Sequence, residues 1–267
     1  MSASAPIGLY DSGLGGLSVA REVFRQLPHE SIRYFGDTAR VPYGIRSRET
    51  VTRFSIEDTL FLLRHDIKLI CVACNTVSSV ALPIIKNHFK VPIVGVISCG
   101  AREAVYATQN KRIGVIGTRG TVKSRAYETE ITQLDPLVMV TAAACPLFVP
   151  FAEEGWLEGK VVEEVARTYL APLKKARVDT VILGCTHYPL LKPVIKKVLG
   201  DGVTLIDSAK QVAIEVKKIL FSEGLLCGNT KARHRFYVSD NPEWFSSMAT
   251  RFLGAPVGRV SKVDTNV

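Results

Sequence analysis

The sequence predicts an α/β fold: two similar doubly wound lobes with mostly parallel sheets and a ligand cleft between them. Three observations carry this expectation. Short apolar runs recur without polar alternation, amphipathic helical stretches separate them, and the first part of the chain weakly resembles the second. Unalternated runs fit strands buried on both faces of a parallel sheet. Strands alternating with helices place ligands beyond the C-terminal strand ends.

Taken in order, the run at 7–10 stops at Asp11-Ser12-Gly13, and the run at 69–73 stops at Cys74-Asn75-Thr76. Runs at 93–97, 113–116, 138–142, 180–183 and 203–206 repeat the form. Between them lie helical faces: Val161, Val162, Val165, Ala166, Tyr169 and Leu173 form one, and Val212, Val216, Ile219 and Leu220 another. Residues 209–221 read as a helix with Asp207 or Ser208 near its cap, and 234–238 as a further strand.

The internal likeness is local but ordered. Ile-Gly-Leu-Tyr-Asp-Ser at 7–12 returns as Ile-Gly-Val-Ile-Gly-Thr at 113–118, and Ile-Cys-Val-Ala-Cys-Asn-Thr at 70–76 returns as Val-Ile-Leu-Gly-Cys-Thr-His at 181–187. The two offsets nearly agree. Two lobes, 1–97 and 98–208, are therefore expected to face each other, each presenting a cysteine at a strand end. The segment 209–267, too short to fold alone, is expected to pack back on the first lobe.

Composition narrows the class. At 47% hydrophobic and 22% charged residues, the chain can build real cores, which excludes collagen-like, mucin-like and disordered types. Thirty-four Lys and Arg against 25 Asp and Glu leave a formal charge of +9, which admits nucleic acid, an acidic surface or an acidic small molecule as partner. Lysines such as Lys192, Lys196, Lys217 and Lys218 read as solvated helix faces with few interleaved aromatics, so nucleic-acid binding is not expected. Apolar runs fall far short of the roughly 18 residues of a spanning helix, and no basic-then-apolar leader opens the chain. No membrane role is expected, and the six cysteines are read as reduced in a cytoplasmic protein.

The chemistry centres on Cys74 and Cys185. Each follows an apolar run and precedes a polar pair, Asn75-Thr76 or Thr186-His187, able to open a helix whose N–H groups stabilise a thiolate or a bound carboxylate. Cys71, Cys99, Cys145 and Cys227 read instead as small buried hydrophobes. Three chemistries use such a pair. Cys71 and Cys74 form a C-x-x-C redox pattern, though Cys71 falls inside the strand; Cys74, Cys185 and His187 offer three zinc-type ligands without pairwise spacing. Alternatively, a thiolate base on one face of a substrate carbon and a thiol acid on the other move a proton, since thiols titrate near neutral pH.

Further residues cluster at strand ends. Asp11-Ser12-Gly13-Leu14-Gly15-Gly16 is glycine-rich without dinucleotide spacing. Residues 37–44, from Asp37 to Tyr43-Gly44, form a loop whose end can offer backbone N–H groups to a carboxylate. His187, beside Cys185 and Thr186, suits proton handling. Glu153 and Glu154 read as a solvated helix start.

The segments DSGLGGLSV from Asp11, GDTARVPYG from Gly36, ACNT from Ala73 and GCTHYPLL from Gly184 together resemble the glutamate racemases, in order and spacing, over nearly the whole chain. Thr186-His187-Tyr188-Pro189 favours glutamate over aspartate specificity within the wider superfamily. The resemblance implies a cofactor-independent, metal-free isomerase interconverting L- and D-glutamate for peptidoglycan synthesis. It implies that Cys74 and Cys185 are the acid/base catalysts, assisted by Asp11 near Cys74 and His187 near Cys185. Asp11, Ser12, Tyr43, Gly44, Asn75, Thr76, Thr186 and His187 would bind substrate, with Asp37 and Glu153 as assisting carboxylates. A homodimer is expected. Regulation by a cell-wall precursor, seen in members with an N-terminal extension, is not expected. A binding protein closing two lobes on an acidic ligand without chemistry is the rival reading.

Overall fold

The computed structural model describes residues 2–228 and 231–264. In the first part, β1 (Ile7–Asp11), α1 (Leu17–Gln26), β2 (Ile32–Gly36), α2 (Arg48–Leu63), β3 (Leu69–Val72), α3 (Asn75–Val80), α4 (Leu82–His88) and β4 (Ile93–Gly95) lead into α5 (Val96–Ala107). Next come β5 (Arg112–Gly117), α6 (Arg119–Ser124), α7 (Ala126–Leu134), β6 (Met139–Ala144), α8 (Phe148–Glu154), α9 (Lys160–Lys175), β7 (Thr180–Gly184), α10 (Lys192–Leu199) and β8 (Thr204–Ile206). The chain then returns through α11 (Ser208–Ser222), β9 (Arg235–Val238), α12 (Pro242–Leu253) and β10 (Val260–Lys262).

Two sheets result, ordered β10-β9-β2-β1-β3-β4 and β6-β5-β7-β8. Every strand pairing among the described residues is parallel. The core order β2-β1-β3-β4 matches β6-β5-β7-β8 strand for strand, so the two halves share a winding. The additional strands β9 and β10 extend the first sheet beyond β2. A buried ion pair, Lys68 Nζ to Glu30 Oε2 at 2.6 Å, also holds the Leu225 carbonyl at 2.8 Å, tying the chain after α11 to the first sheet.

The sheets are buried on both sides, as unalternated runs require. In the first sheet, Leu69 and Cys71 face one core while Ile70 and Val72 face another. The first of these cores is shared: Ile7 and Leu9 of β1 join Ile113, Val115 and Ile182 of the second sheet, with α1, α5 and α11 between. The lobes are thus joined through packed side chains as well as through two chain crossings.

Several boundaries move. The run at 93–97 is a strand only to Gly95, because α5 begins at Val96 and its first turn is also buried; an unbroken apolar run cannot mark where strand becomes helix. The strand expected at 138–142 lies at Met139–Ala144, half-buried on the sheet edge. Val161 is 58% exposed and leaves the apolar face that Val162, Ala166, Leu170 and Leu173 form. Asp207 is the cap of α11, its carboxylate accepting from the Ala209 N–H at 3.1 Å.

Candidate active site

The C-terminal ends of β1, β3, β5 and β7 converge on a cleft between the two sheets, a cavity of about 320 Å³. Ser12, Cys74, Asn75 and Thr76 line one side, and Thr118, Glu153, Cys185, Thr186 and His187 the other. A larger groove of about 890 Å³ includes Thr76 but neither cysteine, so the chemistry and not the volume selects the cleft.

Cys74 caps α3 in extended geometry and is 5% exposed. Its thiol donates to Ser12 Oγ at 3.6 Å. Burial, then the Asp11 charge, pushes its pKa up to about 12, so Cys74 stands as a thiol at neutral pH. Asp11 is fully buried behind it. Its carboxylate accepts from the Gly13 N–H at 3.0 Å and, across the lobes, from the Thr186 hydroxyl at 3.5 Å. Burial raises the Asp11 pKa and the His187 charge opposes that rise.

Cys185 follows β7 directly, but it does not open an α-helix. Thr186 and His187 form a turn, Tyr188–Leu191 a 3-10 turn, and α10 starts only at Lys192. The expected helix-terminus environment is therefore replaced by a side chain: His187 Nδ1 lies 3.7 Å from Cys185 Sγ, and His187 Nε2 lies 2.9 Å from Glu153 Oε1. Burial alone would strip the imidazole of its proton, yet the hydrogen bonds to Cys185 and Glu153 push its pKa up to about 10. His187 is a cation at neutral pH. Glu153 sits at the end of α8, not at a solvated helix start.

The Tyr43-Gly44 segment forms a 3-10 turn whose residues line the cleft. The Tyr43 phenol points away from it, donating to Asp37, with Asp58 Oδ2 at 3.1 Å. Arg40 bridges these acids, Nε to Asp37 at 2.5 Å and Nη2 to Asp58 at 2.9 Å, and also pairs with Glu57. Asp37 is accordingly a buried strut beneath the loop and not part of the cleft wall. Burial and the Asp37 charge raise the Asp58 pKa well above the carboxylate range.

Thr118 escaped the sequence reading. It caps α6 through the Thr121 N–H, and its hydroxyl lies 2.9 Å from that of Thr76 across the cleft, with Thr121 Oγ1 at 3.1 Å. The signal was present in the repeat, where Thr118 holds the place of Ser12. Two glycines allow the lobes to meet here. A Cβ at Gly15 would stand 2.1 Å from Thr186 Oγ1, and one at Gly44 would stand 2.6 Å from Thr118 Cβ.

The alternatives for the cysteines separate on this geometry. Cys71 faces the shared core and Cys74 the opposite side of the sheet, so the two do not form a redox pair. Among the described residues no cluster of three His, Cys, Asp or Glu side chains is arranged to hold a metal ion. No helix there is long and apolar enough to cross a membrane. Two sulfurs from equivalent halves thus face one cleft, each with a titratable neighbour.

Comparison with known proteins places the chain in a family. The Asp/Glu/Hydantoin racemase family matches residues 14–215. The chain is 51% identical over 259 residues to a glutamate racemase of Geobacter metallireducens, covering 97% of this chain and 96% of that protein. It superimposes on the crystal structure of glutamate racemase isoform RacE1 from Bacillus anthracis with a TM-score of 0.94 at 43% identity, covering 97% of each chain. The glutamate racemase of Francisella tularensis, crystallised with D-glutamate, gives a TM-score of 0.94 at 37% identity, covering 99% of each chain. The chain belongs to the Asp/Glu/Hydantoin racemase family and, within it, to the glutamate racemases.

Proposed function

We propose that this racemase interconverts L- and D-glutamate without a cofactor, by two-base proton transfer at Cα, and supplies D-glutamate for peptidoglycan. The observation carrying the reading is the convergence of Cys74 and Cys185, from equivalent strand ends, on one small cleft. With L-glutamate bound, Cys185 acts as thiolate and removes the α-proton, while the Cys74 thiol delivers its proton to the opposite face. The D to L direction reverses these roles. His187, cationic beside Cys185, neutralises charge on that sulfur. Asp11 is the base beside Cys74 on the other side.

The carbanion formed by α-proton loss needs stabilisation that water does not give. Hydrogen-bond donors from Asn75, Thr76, Thr186 and the Tyr43-Gly44 backbone are preorganised around the cleft to hold both carboxylates, and hydroxyl oxygens such as that of Ser12 accept from the amino group. Enclosure between the lobes keeps water from quenching the intermediate. Asp37 helps indirectly, by holding Tyr43, and Glu153 helps by orienting His187.

The lobes 1–97 and 98–208 are proposed as the units that close on substrate, with 209–267 attached to the first; residues 229–230 and 265–267 lie outside the described residues. A homodimer in the cytoplasm completes the reading, testable by sedimentation and fractionation. The decisive experiment incubates the protein with L-glutamate and L-aspartate in deuterium oxide, following optical rotation and deuterium at Cα. Racemisation of glutamate with deuterium uptake supports the reading. Binding without deuterium uptake would replace it with the simple binding protein.

A further inference from the structure

We propose that Tyr127 is a positioning residue for Asn75, its hydroxyl holding the amide so that the N–H donors face the cleft. The proposal rests on Asn75 being a substrate contact. Asn75 is the first residue of α3, directly after Cys74, and lines the cleft. Its side-chain oxygen accepts from the Tyr127 hydroxyl at 2.7 Å, a bond from α7 of the second lobe to α3 of the first.

An amide has one accepting end and one donating end, so a bond that fixes the oxygen also directs the nitrogen. With its oxygen turned to Tyr127, Asn75 presents donors to an anionic ligand. The flipped amide would present a carbonyl, lone pair against carboxylate. In the bond the structure holds, the phenol donates and the amide oxygen accepts; the phenol is 2% exposed and burial raises its pKa, keeping that proton in place.

The phenol lies where the chain crosses between the lobes. Ser208, the first residue of α11, is buried close to it. Gly100 of α5 leaves the space both groups use: a Cβ there would stand 2.4 Å from Ser208 Oγ and 3.3 Å from the Tyr127 ring. The α5 and α11 crossings thus pack around the ring whose hydroxyl reaches from the second lobe to the cleft. No motif marks Tyr127, which sits among polar residues of an ordinary surface helix.

The test is a double-mutant cycle on glutamate racemisation with Tyr127→Phe, Asn75→Ala and the pair. Tyr127→Phe keeps the ring and its packing and removes only the hydroxyl. The expected result is a tenfold to hundredfold loss of kcat/KM from Tyr127→Phe in the parent, on the order of a hydrogen bond serving a charged ligand, and less than about twofold in the Asn75→Ala background. A thermal midpoint near the parent value separates this from unfolding. Parental kcat/KM in Tyr127→Phe, or the same loss in both backgrounds, overturns the positioning role. Parental kcat/KM in Asn75→Ala overturns the substrate contact first, and the proposal with it.

Discussion

Cys74 and Cys185 hold matching places in two halves that share a strand order, yet their surroundings are opposite in kind. On the Cys74 side the neighbours are a hydroxyl, Ser12, and a buried carboxyl, Asp11, and the thiol is pushed up to about 12. On the Cys185 side the neighbour is an imidazolium, anchored by Glu153 and packed edge-on against Phe252 at 5.3 Å between ring centroids. The shared architecture therefore supplies the position of each sulfur, and side chains that differ between the halves supply its electrostatic surroundings. The resting arrangement stores a proton on Cys74 and a positive charge beside Cys185, which under the proposed mechanism suits entry from L-glutamate.

Removing either sulfur tests that asymmetry most severely. Cys74→Ala and Cys185→Ala should each lower kcat/KM for racemisation about 10³- to 10⁴-fold, at or near the upper end of general acid/base contributions. L- and D-glutamate have equal free energy, so the loss must be the same factor in both directions. The two variants differ in exchange instead. Cys74→Ala, keeping Cys185, should wash solvent deuterium into L-glutamate, and Cys185→Ala should do so only into D-glutamate. Nuclear magnetic resonance of the recovered substrate reads the difference, and exchange into the opposite enantiomer would reverse the assignment.

The next largest effect concerns how closely the halves meet. Gly15→Ala puts a methyl where Thr186 Oγ1 and His187 Nδ1 lie within 2.1 and 2.7 Å, so the turn after β1 must move off the Cys185 side. A displacement of about 1 Å at this contact predicts a fall in kcat/KM on the order of 10²-fold. Steady-state kinetics with a folded variant checks it; an unchanged rate would show that the contact is slack.

These contrasts also explain what the sequence made legible. Strands buried on both faces announce themselves as runs such as Leu-Ile-Cys-Val, and the cysteines stand out because two runs end alike. The boundary at Gly95 and Val96 was not readable, since both sides of it are apolar and buried. The strand β10, half-exposed at the sheet edge, carries almost no apolar signal. The helix α12 carries local signals at both ends, with Asn241 capping it, Pro242 opening it and Gly254 following it, but no repeat or strand-end motif points to it. Interlobe pairs such as Thr76 with Thr118 are far apart in sequence, and only the shared winding of the halves brings them to one cleft.

A smaller effect separates the two sides by pH. In the folded chain the His187 pKa stands at about 10, above its ordinary 6.5, because the bonds to Cys185 and Glu153 outweigh burial. A group raised on folding contributes its full stability below the unfolded value and loses it as pH climbs to the folded one. Between pH 6.5 and about 10, the unfolding free energy should therefore fall with a slope of up to about 1.4 kcal/mol per unit from this residue. Acidification below 6.5 should leave the contribution intact. Urea unfolding of the parent and of His187→Asn at pH 6, 8 and 10 isolates it as a difference, and parallel curves would deny the raised pKa.

The smallest effect is expected from Arg251, which supports the Cys185 side from the other lobe. On α12, its guanidinium donates to the Ala152 carbonyl at 3.2 Å and to the Glu153 carbonyl, at the end of α8. A cation there satisfies carbonyls that have no partner within the helix and opposes the negative end of its dipole. Glu153, fixed by that contact through its backbone, in turn orients His187. Arg251→Met keeps much of the stem and removes the donors. Stability should fall by about 1 kcal/mol, and kcat/KM by a few fold, since Glu153 keeps its place on the helix but not its restraint. The loss should shrink in a Glu153→Gln background, where the anchor of the imidazolium is already weakened. An equal loss in both backgrounds would assign Arg251 to holding the lobes together without any part in the Cys185 side.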